Sequence, residues 1–269
     1  MKARKLIVVC FAIVAVFSWT GAASGALMHY WDFEDAVAGT SDDLADTANL
    51  YVGNGGYTAQ PLTPIAGTTI TATGRDGGVS VQSGMSGPCY EAAGLTQIDT
   101  PSFTMEGWMQ WGNTYRGWAN PFGTWGQTVM IHMGGSKFWV GVGPVTYCDY
   151  GVTDPAVGDW IFLAVVADAT AGTVTGYFNK DGDTLTGYDQ TVADVYAGVS
   201  TGNAFRVGMD YKTHDGLYDW VVFYDQALPE ATINDHYLNG LGLVLIPEPA
   251  TLGILALGGL GLLLRRKRR

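Results

Sequence analysis

The sequence predicts an all-β protein, a two-sheet sandwich of antiparallel strands, from its composition and from one central stretch. The 269 residues include 38 glycines and are 12% aromatic but only 14% charged, a composition typical of strands separated by turns. Within residues 159–182, the apolar run 160–166 is followed by the turn-forming segment 168–172 and a second β-rich run, 173–178. We therefore predict a central antiparallel hairpin whose first strand is buried on both faces.

Other segments carry weaker strand patterns. Residues 27–35 and 103–111 alternate apolar and polar positions, as half-buried strands do, and Phe103, Met105 and Trp108 are expected in the core. Shorter runs predict strands at 68–73, 78–82, 138–142, 145–152, 187–192, 204–209 and within 216–228.

A short helix is predicted after the last of these strands, at 229–238. Pro229 suits a first-turn position, Ile233 and Tyr237 lie four residues apart on one face, and Gly240 provides a stop. The helix is the only one that we predict within the domain.

Several of these segments, in this order, resemble the laminin-G-like domains of the concanavalin A-like class. The similar tracts are the opening Tyr-Trp-x-Phe run, the Phe-Thr-x-x-x-Trp run, the central hairpin and the final GLYDWVVFYDQAL stretch at 216–228. Gly107 departs from the small apolar residue of the family, and Asn-Lys-Asp-Gly at 179–182 lengthens its Asn-Gly turn. The resemblance implies a jelly-roll sandwich over residues 27–243.

The amino terminus has the three parts of a secretory signal. Lys2, Arg4 and Lys5 precede an apolar stretch at 6–19, and small residues follow up to position 26. We predict a signal peptide over 1–26 and an exported protein.

The carboxyl terminus, residues 244–269, resembles the PEP-CTERM sorting signal. Pro247, Glu248 and Pro249 precede an apolar stretch, which ends in five basic residues beginning with Arg265 and Arg266. The resemblance implies that an exosortase cuts near Pro-Glu-Pro after the apolar helix has transiently anchored the protein in the inner membrane. It also implies a final location at the cell surface or in the extracellular matrix; the alternative is an ordinary carboxy-terminal anchor.

The charge distribution argues against a nucleic-acid partner. Eight of the 14 Lys and Arg residues lie in the first five or last five positions, which leaves six against 24 acidic residues over 27–246, a net charge of −18. Such a domain repels phosphate. The balance favours solubility, cation binding and association with neutral polymers.

The sequence contains no clear catalytic motif. Concanavalin A-like folds include glucanases, which need a close pair of carboxylates, but Glu106 has no acidic neighbour on its strand. We therefore predict that Glu106 faces solvent without a catalytic role. The histidines are scattered and are expected on the surface or in local hydrogen bonds; they are His29, His132, His214 and His236.

An aromatic loop is the candidate carbohydrate-binding feature. It contains Trp111, Tyr115, Trp118 and Trp125 among glycine and asparagine residues. Aromatic rings stack on the C–H faces of sugars. The alternative is that these rings fold back over an edge of the sandwich.

Calcium is the candidate cofactor because oxygen ligands are abundant. Asp219 is suggested by the resemblance, with Asp32 as its neighbour on the adjacent strand. Asn179, Asp181 and Asp183 also alternate as ligands do, but a polar turn explains them more simply.

One disulfide is possible in an oxidising compartment. Cys89 and Cys148 remain after removal of the signal peptide, and they are either bridged or unpaired.

Together these observations predict an exported, non-catalytic envelope or extracellular-matrix protein for adhesion or polysaccharide association. The alternatives are an extracellular glycan hydrolase of concanavalin A-like fold and a purely structural matrix protein.

Overall fold

The described part of the chain forms two antiparallel sheets and one short α-helix, which confirms the all-β prediction at this level. The structure is a computed structural model. It describes residues 26–33, 45–50, 59, 61–64, 69–71, 75, 80–82, 90–92, 100–112, 121–124, 129–133, 137–142, 146–151, 155–191, 205–208 and 216–242.

The strands lie where the sequence predicts them, and four more are present. In chain order they are β1 (Leu27–Trp31), β2 (Thr63–Pro64), β3 (Thr69–Thr71), β4 (Ser80–Gln82), β5 (Tyr90–Ala92), β6 (Phe103–Gln110), β7 (Phe122–Thr124), β8 (Val129–Met133), β9 (Lys137–Val142), β10 (Thr146–Gly151), β11 (Trp160–Asp168), β12 (Thr173–Lys180), β13 (Gly187–Thr191), β14 (Phe205–Val207) and β15 (Leu217–Tyr224). A 3-10 helix spans Ala48–Leu50, and helix α1 spans Glu230–Asn239. The strands that the sequence did not predict are β2, β5, β7 and β8.

The central hairpin is formed by β11 and β12, which pair from Ile161 opposite Lys180 to Asp168 opposite Thr173. The carboxylate of Asp168 accepts hydrogen bonds from the backbone N–H groups of Thr170 and Ala171, at 2.8 and 3.0 Å. An Asx-type turn therefore closes the hairpin.

The hairpin lies within the first of the two sheets. In the described residues this sheet has the order β13-β12-β11-β6-β15-β4-β3, and β1 also pairs with β15. The second sheet has the order β10-β9-β8-β7-β14-β5-β2. All of these pairings are antiparallel, as the sequence predicts for a sandwich.

The two sheets enclose one apolar core. Trp31 of the first sheet stacks on Phe205 of the second at a ring-centroid distance of 5.2 Å, and Phe223 meets the Phe205 ring edge-on at 5.1 Å. Gly107 lies where no side chain fits, because a Cβ there would come within 2.9 Å of the Trp220 carbonyl oxygen. This close approach explains the departure from the family pattern at Gly107.

A second apolar cluster lies on the outer face of the first sheet, under α1. Trp108 is fully buried there, stacked on Tyr237 at 5.6 Å and packed against Phe162 at 5.2 Å. Ile233 and Tyr237 are both buried, which confirms the predicted apolar face of the helix. The central strands of this sheet are therefore covered on both faces.

The predicted terminal segments lie outside the described residues, apart from Ala26. Among the residues that the structure does describe, no helix is both long enough and apolar enough to cross a membrane.

Candidate functional site

A buried acid-base pair joins the outer face of the first sheet to α1. Nδ1 of His236 lies 3.0 and 3.2 Å from the two carboxylate oxygens of Glu106, and Glu106 is 0% exposed. The ring of Tyr224 stacks on His236 at 5.8 Å. The prediction that Glu106 faces solvent is wrong, because α1 covers that face of β6. His236 is hydrogen-bonded, as one of its two predicted alternatives requires, but the bond is not local, because its partner lies 130 positions away in the chain.

The pair has shifted pKa values. Burial raises the pKa of Glu106, although the hydrogen bond and charge of His236 oppose the rise. Burial lowers the pKa of His236, but the hydrogen bond and charge of Glu106 outweigh burial, so its net shift is also upward. A carboxyl group enclosed in this way cannot contact a polysaccharide.

These shifts predict that the pair stabilises the fold less as the pH rises. Each group holds its proton in the native state to a higher pH than in the unfolded state, whose values are 4.5 for Glu106 and 6.5 for His236. The contribution is therefore complete below those values and is lost as the pH rises through the native ones. Denaturant unfolding between about pH 6 and about pH 9 should show the advantage of the wild type over the double variant Glu106→Gln/His236→Gln, in which neither group titrates, shrinking. A difference that does not change with pH would contradict this account.

A cleft opens at the rim of the sandwich, where β11 begins and β12 ends. Its volume is about 370 Å³, within the range of about 300–1,000 Å³ that is usual for small-molecule sites. The apolar lining includes Phe178 and Tyr188, and the polar lining comes mainly from the two flanking loops. The full lining is Pro155, Ala156, Asp159, Ile161, Phe178, Asn179, Lys180, Asp183, Thr184, Thr186 and Tyr188.

The polar lining of this rim cleft includes an ion pair and the residue Asn179. Nζ of Lys180 lies 2.8 Å from Oδ1 of Asp159, and their hydrogen bond lowers the pKa of Asp159 and raises that of Lys180. Asn179 is 7% exposed, and its Nδ2 donates to the carbonyl oxygen of Thr184 at 3.2 Å. Within the described part of the chain, Oδ1 of Asn179 has no hydrogen-bond partner.

Two elements hold the turn that lines this cleft. The hydroxyl of Tyr237 in α1 donates to the carbonyl oxygens of Lys180 and Asp183. The guanidinium of Arg75 forms two hydrogen bonds to the Asp181 carboxylate, at 2.9 and 3.3 Å, and lies 3.8 Å from the centre of a Trp108 ring. Anchoring from the helix and from Arg75 fixes the backbone of the turn, as a pre-formed binding site requires.

The predicted aromatic loop is described only in part. Trp111 is 8% exposed and belongs to the core between the sheets, and its backbone N–H donates to the carbonyl oxygen of Asp159 at 2.8 Å. Its indole is therefore packed into the core, as the edge-covering alternative predicts, and is not displayed to a sugar. Tyr115, Trp118 and Trp125 lie outside the described residues.

Asp219 lies on β15 and Asp32 directly follows β1, the strand that pairs with β15, and both already have protein partners. Asp219 is 5% exposed and accepts the backbone N–H of Arg75 at 3.2 Å, while Asp32 accepts the Thr47 hydroxyl at 3.3 Å. No group of three or more His, Cys, Asp or Glu residues in the described ranges is arranged to hold a metal ion. Calcium binding stays a prediction.

The predicted disulfide cannot be placed in the structure. Cys89 lies outside the described residues, and only the backbone of Cys148 is described, in β10.

The fold defines a β-sandwich domain with one face covered by a helix. The carboxy-terminal tail of the chain matches a known protein-sorting motif. Residues 245–269 match the PEP-CTERM protein-sorting motif, which confirms the identification of the tail. The motif marks an exported protein that is sorted to the cell surface in an exosortase-dependent way. No curated protein sequence matches the chain.

Solved structures share the sandwich fold at low sequence identity. Trypanosoma rangeli sialidase in complex with sialic acid aligns at 12% identity and a TM-score of 0.54, over 80% of this chain and 33% of the sialidase. The binding domain of botulinum neurotoxin serotype D aligns at 11% identity and a TM-score of 0.57, over 79% of this chain and 51% of that domain. The chain therefore matches about a third and about half of these proteins. The likeness shows the fold alone and is consistent with a concanavalin A-like domain.

Proposed function

We propose that this chain is a non-catalytic envelope or extracellular-matrix protein that associates with extracellular polysaccharide through the rim cleft. The cleft itself is the observation that carries the proposal. Its volume suits a small part of a polymer, the partly exposed Tyr188 offers apolar surface to the C–H face of a sugar, and the flanking loops supply hydrogen-bonding groups.

The maturation route completes the proposal. Residues 1–26 direct export, and the apolar helix of the tail anchors the protein in the inner membrane until an exosortase cuts near Pro247, Glu248 and Pro249. Helix α1 ends at Asn239, before the sorting motif begins at position 245. Cleavage at Pro-Glu-Pro would therefore leave the laminin-G-like jelly roll, with its covering helix, intact.

The structure does not support Glu106 as the catalytic acid of a glycan hydrolase. Glu106, the acid considered for that activity, is 0% exposed beneath α1. Its hydrogen bond to His236 instead indicates a structural role.

Hydrogen-deuterium exchange on the full chain tests the proposed site. With polysaccharide extracted from the cells that export the protein, we expect slower exchange in the two cleft segments, 155–159 and 180–188. Exchange in the turn 168–172, at the opposite end of the hairpin, should stay unchanged and serves as the internal control. Unchanged exchange throughout would favour the purely structural alternative.

A further inference from the structure

The residue just before β1, Ala26, forms two hydrogen bonds with Asp225, which directly follows β15. The backbone N–H of Ala26 donates to Oδ1 of Asp225 at 2.7 Å, and the backbone N–H of Asp225 donates to the carbonyl oxygen of Ala26 at 3.1 Å. These bonds continue the antiparallel pair of β1 and β15, in which Leu27 lies opposite Tyr224. Ala26 is therefore part of the folded domain.

The sequence permits cleavage of the signal peptide on either side of Ala26. A signal peptide ends with small residues at its last and third-last positions. Residues 23–25, Ala-Ser-Gly, and residues 24–26, Ser-Gly-Ala, both meet this requirement. The pattern alone does not choose between a mature chain that begins at Ala26 and one that begins at Leu27.

The fold favours one of these two products. Cleavage after Ala26 would remove both hydrogen bonds and would put a charged amino group on Leu27, which is 2% exposed and belongs to the apolar cluster under α1. Burying a charge in apolar surroundings is unfavourable. Cleavage after Gly25 would instead put the ammonium group on the partly buried Ala26, 2.7 Å from a carboxylate oxygen. Charge-assisted hydrogen bonds have this short length.

We propose that the signal peptide is removed between Gly25 and Ala26 and that the new α-ammonium group of Ala26 forms an ion pair with Asp225. Hydrolysis by a signal peptidase adds one water to this peptide bond, leaving a carboxylate on Gly25 and an amino group on Ala26 that is protonated at neutral pH. The inference rests on the export step of the proposed function, but not on the rim cleft. It moves the predicted end of the signal peptide from position 26 to position 25.

Mass spectrometry of the amino-terminal peptide tests the cleavage site. The full chain is produced in the cells that export it, and the mature protein is isolated. The first residue of the mature protein is expected to be Ala26. A mature chain that begins at Leu27, or at any residue before Ala26, would overturn the inference.

The reactivity of the terminal amine tests the ion pair. Exported wild type, Asp225→Asn and Asp183→Asn are treated, while folded, with a limiting amount of an acetylating reagent at about pH 7. Acetylation of the terminal amine is expected to be several-fold slower in the wild type than in Asp225→Asn, because the carboxylate holds the amine protonated and partly covered. Asp183→Asn removes the same charge at an exposed position and should behave as the wild type does.

Denatured samples of the three proteins provide the baseline, and their terminal amines should react equally. Equal rates for folded wild type and folded Asp225→Asn would overturn the ion pair. If Asp225→Asn does not fold, the mass of the amino-terminal peptide still decides the cleavage site. Neither measurement uses polysaccharide, so failure here is distinct from failure of the rim-cleft proposal.

Discussion

Replacing His236 by leucine is expected to lower the free energy of unfolding by about 3–5 kcal/mol, the usual cost of removing one partner from a buried pair. The change would leave the carboxyl group of Glu106, 0% exposed, without its hydrogen-bond partner. It would also remove the ring that stacks on Tyr224. The loss should loosen α1 from the sheet, because His236 lies on the buried face of that helix.

Denaturant unfolding of five proteins separates pairing from simple packing: the wild type, His236→Leu, Glu106→Leu, the double variant of these two changes, and the control Leu238→Ala. The double variant Glu106→Leu/His236→Leu should recover much of the loss, since buried pairs can be replaced by apolar residues at little cost. Leu238→Ala, a change at a 63% exposed residue of the same helix, should stay within about 0.5 kcal/mol of the wild type. A double variant as unstable as the sum of the single changes would show that the two residues are not coupled.

The long elements of this fold could be predicted because their patterns are local. Strands β6, β11 and β15 each contain eight or nine residues whose periodicity is visible in the sequence. By contrast, β2, β5 and β7 contain only two or three residues and are defined by their neighbours in the second sheet. The run Val129–Met133 is mostly apolar but short, and such runs do not distinguish a strand from other buried segments.

The candidate site depends on contacts that a linear pattern does not show. Alternation along β6 puts Glu106 and Trp108 on the face opposite Phe103 and Met105, and that face is covered by α1 rather than open to solvent. One signal could have revealed the cover, because His236 follows Ile233 by three residues and so shares the apolar face of the helix. The cleft forms only because the register of the hairpin brings residues 155–161 beside 178–188. The sequence indicated no more there than a polar Asn-Lys-Asp-Gly turn.

The second large effect is expected from filling the cleft. Thr186 is an exposed residue of the cleft lining, so Thr186→Trp should place an indole in the binding volume without disturbing either apolar core. Because the cleft volume is only about 370 Å³, an indole inside it should leave too little room for a sugar unit. Thr170→Trp introduces the same side chain at an exposed position in the opposite turn of the hairpin and is the matched control.

The most direct test of polysaccharide association through the rim cleft is therefore a co-sedimentation measurement with the full chain and these two variants on the same extracted polysaccharide. Thermal unfolding curves of all three proteins should first confirm that the substitutions leave the fold intact. The account predicts that the wild type and Thr170→Trp sediment with the polymer to the same extent and that Thr186→Trp stays in solution. Equal sedimentation of Thr186→Trp and the wild type would contradict it.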